Sequence, residues 1–106
     1  MPLAIQQRNN VRIAIAAATA AIESSPIELV SDRDYTILCS PLGLGEMVYV
    51  MVYDYTTDSF NQMRVGGNDV HMIPTYEVLT FSKVSCVIKL YKTATASAVG
   101  VSVVSR

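Results

Sequence analysis

"IKLYKTATASAVGVSVV", residues 88–104, alternates its side-chain types on both sides of a run of small residues. Ile88 and Leu90 share a face with Cys86, and Lys89 and Tyr91 lie opposite; further on, Val99, Val101 and Val103 share one face, and Gly100 and Ser102 the other. A period of two places successive side chains on opposite faces of a strand. The stretch therefore predicts two half-buried antiparallel strands, joined as a hairpin through "TATAS", and it contains no residue set suited to catalysis.

The same period recurs upstream. From Pro26 onward short apolar runs are separated by turn residues: "PIELV" before "SDRD", "YTILCS" before "PLGLG", "FNQMRV" before "GGND", then "VHMIP" and "YEVLTF". Gly66 and Gly67 suit the positive φ of a tight hairpin. About seven or eight strands with short connections describe an all-β fold, an antiparallel β-sandwich of the immunoglobulin-like or jelly-roll kind. The 106 residues allow one domain. We place it at residues 25–106, with residues 1–24 as an extended N-terminal arm. Within that arm "VRIAIAAATAAI" is rich in alanine, which favours helix, yet Val11, Ile13 and Ile15 alternate with Arg12 and Ala14, which favours an extended segment. Ile13 and Ile15 are the arm's candidate contact residues.

The longest strand signal, "EMVYVMVYDY", is apolar on both faces. Val48, Val50 and Val52 form one, and Met47, Tyr49, Met51 and Tyr53 the other. One reading makes the methionine and tyrosine row an outward interface patch, since these residue types are enriched at interfaces. The other turns that row inward and the valines out, under a further layer. Either way an additional cover is expected. Low charge, 16% of residues against about 25% in an ordinary chain, points the same way.

Composition also argues against several functions. With a net charge of −1 and no run of either sign, direct nucleic-acid binding is not expected. The longest apolar run, "MVYVMVY", is too short for a helical membrane span, and no signal peptide is apparent. His71 is the single histidine, so multi-histidine metal sites and most nucleophile–base pairs have too few members. Asp32, Asp34, Asp54, Asp58 and Asp69 sit at turns, where their side chains bond the local backbone. No catalytic residue, metal or cofactor is expected. Cys39 and Cys86 lie in strands that a sandwich could bring face to face, but with no sign of an oxidising compartment they are expected to be unpaired small hydrophobes. The tyrosines could also stack on sugars, a second reading that the absence of tryptophan does not favour.

The order of elements resembles a known family. "SPLGLGEMVYVMVYD", "FNQMRVGGNDVHMI" and "VIKLYKTATASAVGVSVV" are similar to segments of small β-sandwich virion proteins of tailed bacteriophages, of the head decoration or cement type and their relatives at the tail. The matching positions are Gly43 to Val52, Met63 to Met72 and Tyr91 to Val101, which covers most of residues 35–104. The resemblance implies a non-enzymatic subunit on the capsid surface, made in the host cytoplasm. It implies partners in the major capsid protein or another virion protein, and a homo-oligomer, dimer or trimer. A head-to-tail adaptor, tail or fibre-associated protein is the alternative within the same class. The N-terminal third, "MPLAIQQRNNVRIAIAAATAA", departs from the pattern, which leaves the mode of attachment to strand addition by the arm.

Overall fold

A computed structural model of the chain describes residues 10–106. All its regular elements are strands, in the order β1 (Asn10–Ala18), β2 (Ile22–Glu23), β3 (Ile27–Leu29), β4 (Asp34–Cys39), β5 (Val48–Asp54), β6 (Ser59–Gln62), β7 (Arg64–Val65), β8 (Asn68–Asp69), β9 (His71–Met72), β10 (Val78–Ser82), β11 (Cys86–Lys92) and β12 (Val99–Ser105). The first sheet runs β1-β12-β4-β10 and the second β2-β11-β5-β6, with β3 also on β11 and β9 also on β5; β7 and β8 form a small hairpin of their own. Every pairing is antiparallel. The expected all-β sandwich is the observed architecture.

The core is the meeting of the two inner faces. Ile15, Tyr35, Ile37, Val99, Val101 and Val103 come from the first sheet, and Ile27, Leu29, Val48, Val50, Met72, Ile88 and Leu90 from the second. Each set follows the period of two within its strand, as in Tyr35 and Ile37 on β4 or Ile88 and Leu90 on β11. The β7–β8 hairpin turns through Gly66 and Gly67, with φ of 60° and 83°, a left-handed geometry that a side chain strains.

The closing stretch differs from its sequence reading. β11 and β12 do not form a hairpin: β11 lies between β2 and β5 in the second sheet, and β12 between β1 and β4 in the first. Both strands bury one face as expected, but they do so from opposite sides of the core. The loop between them crosses from sheet to sheet, and the buried Lys92 anchors it. Its Nζ donates to the carbonyl oxygens of Ala20 at 2.5 Å and Thr93 at 3.1 Å, and to Thr95 Oγ1 at 3.4 Å. Thr95 in turn donates its N–H to the Thr19 carbonyl at 2.9 Å, so two sheet-crossing loops are tied together. A buried ammonium is tolerable only when its donors are satisfied. Glu46 supplies a nearby negative charge. Its pKa is held below the usual carboxylate range by the Gly43 and Ala96 N–H groups first and by Lys92 to a lesser degree.

Of the expected arm, residues 1–9 lie outside the described residues. Asn10–Ala18 is extended, as the alternation suggested, and is built into the first sheet along β12. Ile13 pairs with Ser102 and Ile15 with Val101, so Ala14 is an extra residue and the side-chain phase flips across it. Ile15 is consequently buried and Ile13 is 66% exposed. Gly100 makes room for this bulged strand: a Cβ there would stand 3.1 Å from both the Ala17 nitrogen and the Ile15 carbonyl oxygen.

Cys39 in the first sheet and Cys86 in the second are both free thiols, as expected. Burial, and secondarily the charge of Glu77, push the Cys39 pKa up to about 11.

Two outcomes follow. Lys92→Met keeps the length of the side chain but leaves the Ala20 and Thr93 carbonyls without their donor; chemical denaturation should show a loss of about 2 kcal/mol. Cys39 favours the folded state fully below its ordinary thiol pKa, and that contribution fades as pH rises from there toward 11. Wild type should therefore lose more stability than Cys39→Ala across that alkaline window, in unfolding curves recorded at stepped pH.

Candidate functional site

The outer face of the second sheet concentrates the side chains that a partner could use. On β5 the alternation resolves with Val48 and Val50 fully buried, while Tyr49, Met51 and Tyr53 face outward and are half-buried by their neighbours. Met47, just ahead of the strand, is also half-buried. The cross-strand register then sets the rows. Tyr49 stands beside Tyr91 of β11 and His71 of β9, and Tyr53 beside Phe60 of β6. Met51 lies between Lys89 and Gln62.

These side chains interlock. The Tyr49 and Tyr91 rings stack with centroids 6.4 Å apart, and Tyr49 tilts against His71 at 5.9 Å. Tyr53 meets Phe60 and Tyr55 edge-on at 5.3 Å and 4.7 Å, arrangements that aromatic quadrupoles favour. Lys89 lies over Phe60 with Nζ 4.7 Å from the ring centroid and forms an ion pair with Glu23 at 3.1 Å. Its charge is thus held at the sheet surface above an aromatic ring. The face is lined by interlocked aromatic rings, with the Lys89–Glu23 ion pair beside them.

The β5–β6 turn fixes one end of it. Asp54 Oδ1 accepts from the Thr56 N–H at 2.9 Å and its hydroxyl at 2.6 Å, and Oδ2 accepts from Asn61 at 3.2 Å. The Thr56 hydroxyl first, and then the Thr56 N–H, lower the Asp54 pKa. The Tyr53 hydroxyl donates to Asp58, and this bond raises the phenol pKa. Both acids are turn-formers, as their positions in the sequence suggested. Among the described residues no group of three or more histidine, cysteine or acidic side chains could hold a metal ion. His71 bonds the Asp69 carbonyl through Nδ1 at 3.1 Å and packs on Tyr49.

The fold thus groups Met47, Tyr49, Met51 and Tyr53 with Tyr91, Phe60 and Lys89. Ile13 lies on the other side of the sandwich, on the outer face of the first sheet beside Ser102, and Ile15 belongs to the core. Lys89 and Tyr91 were legible as outward residues of their strand, whereas Phe60 had no face assigned by the sequence, and which strands flank β5 is a property of the folded sheet.

Fold and face together describe a small two-sheet antiparallel sandwich. Searches of protein-family models and of curated proteins give no match. Among solved structures the fold is similar to that of the SPBc2 prophage-derived protein YomS, with a TM-score of 0.66 over 99% of this chain and 100% of that one, at 14% sequence identity.

An outward placement has a measurable signature. Tyr49→Asp should cost about 1 kcal/mol, because the side chain lies on the outer face, whereas Val50→Asp, one residue on, should prevent folding by burying an unpaired charge. Circular dichroism and urea titration of the two variants check the contrast.

Proposed function

We propose that the chain is a structural virion protein of a tailed bacteriophage that binds the capsid lattice as a decoration or cement subunit, through the outer face of its second sheet. The observation that carries this reading is the Tyr49–Met51–Tyr53 row, an apolar and aromatic surface flanked by Tyr91, Phe60 and Lys89. A sheet face with methionine and tyrosine at its centre and charges at its rim has the anatomy of a protein interface. Likeness of fold to a prophage-derived protein supports a phage setting, and the sequence resemblance to decoration proteins supports the capsid as the partner. Attachment at the tail or the head-to-tail junction would use the same face and differ in the symmetry of the particle site.

The test is co-sedimentation of the purified chain with particles assembled without it. Binding should saturate at a fixed copy number per particle and fall at least about tenfold for Met51→Asp, with the fold retained. Absence of binding to capsids and tails alike would overturn the reading. Saturable binding on a glycan array, lost with Tyr91→Ala, would replace it with the sugar-binding one.

A further inference from the structure

β10 ends the first sheet on a free edge of unusual quality. It pairs with β4 residue for residue, from Val78 opposite Leu38 to Ser82 opposite Asp34, with no shift of register. Just before it, the Cys39 N–H donates to the Glu77 carbonyl at 3.1 Å, which fixes the phase of the ladder. The backbone groups of Glu77, Leu79 and Phe81 point toward β4, and those of Val78, Thr80 and Ser82 point away from the sheet. Among the described residues no other strand pairs with that side.

Exposed edges are ordinarily guarded by bulges, charges, prolines or short length. Two of the other edges have such guards: β1 is broken twice in register and carries Arg12, and β2 has two residues and ends on Glu23. β10, "VLTFS", has no charge, no proline and no bulge.

We propose that β10 is the self-association edge of the protein, pairing antiparallel with β10 of a second copy about a two-fold axis at Thr80. The occupant is argued from self-complementarity. With Thr80 opposite itself, Val78 falls opposite Ser82 of the second copy, and these are the residues whose backbone groups face outward. On the inner side Leu79 falls opposite Phe81 of the second copy. Both side chains are half-buried against their own core, so pairing extends that core across the junction. Glu77 stands just before β10 and Lys83 just after it, where the backbone leaves the strand with φ of 58°, so in this register opposite charges of the two copies flank an uncharged strand at both ends. One oxygen of the Glu77 carboxylate accepts from the Leu42 and Thr75 N–H groups of its own chain, at 3.1 Å and 3.0 Å. A C2 contact of this kind is closed, which limits it to a dimer. It also leaves the aromatic face of the second sheet free, so its failure would not touch the particle-binding reading.

Sedimentation velocity of the full chain over a concentration series is the experiment. Wild type should approach twice the 11.5 kDa chain mass. Thr80→Pro removes an N–H only from the free side, where an edge strand tolerates proline, and should be a folded monomer. Thr80→Lys keeps the N–H but sets two like charges on the axis, and should also be monomeric. Lys83→Glu should weaken the dimer about tenfold at low salt and less at high salt. A wild type that stays monomeric at the highest concentration, an oligomer of another size, or a dimer that survives Thr80→Lys would overturn the proposal.

Discussion

The fold depends on the pairing of β5 with β11 in one register, Val50 opposite Leu90 and Val52 opposite Ile88. That register buries Val48, Val50, Ile88 and Leu90 and, by the same alternation, forces Tyr49, Met51, Tyr53, Lys89 and Tyr91 to the outside. A slip of one residue would exchange the two sets and drive the Lys89 ammonium into the core. Core and outer aromatic face are therefore two sides of a single constraint, and a change that relieves one disturbs the other.

Lys92 extends the inward row by one more step, in phase with Ile88 and Leu90 and fully buried. At that point the chain leaves the second sheet for the first, and an apolar residue could not supply donors to the carbonyls that converge there. The ammonium satisfies Ala20 and Thr93 while the Thr95 amide holds Thr19, so the β1–β2 and β11–β12 crossings close one end of the sandwich together. Charge burial here serves connectivity, which a hydrophobic replacement of similar volume would not reproduce.

Local signals carried much of this in the sequence. Strand positions from Pro26 onward, the glycine turn at residues 66 and 67, the inward valines of β12 and the unpaired cysteines follow from period, turn chemistry and composition. Sheet membership did not, because antiparallel strands adjacent in sequence can pair or part company, and the choice between them rests on distant partners. "IKLYKTATASAVGVSVV" has the pattern of a hairpin and yet spans both sheets. Ile13 and Ile15 share a parity that the bulge at Ala14 breaks, which separates an exposed residue from a core one. The phase of β5 was open in the sequence, since both of its faces are apolar, and the burial of Val48 and Val50 decides it.

In the proposed function, the surface that the central strand cannot bury is what meets the partner. The most direct measurement of that claim is a reconstruction of the assembled particle at side-chain resolution. The density for the chain should show Tyr49, Met51 and Tyr91 packed against a neighbouring virion protein. A particle in which the chain is present with that face open to solvent, or from which the chain is absent, would contradict it.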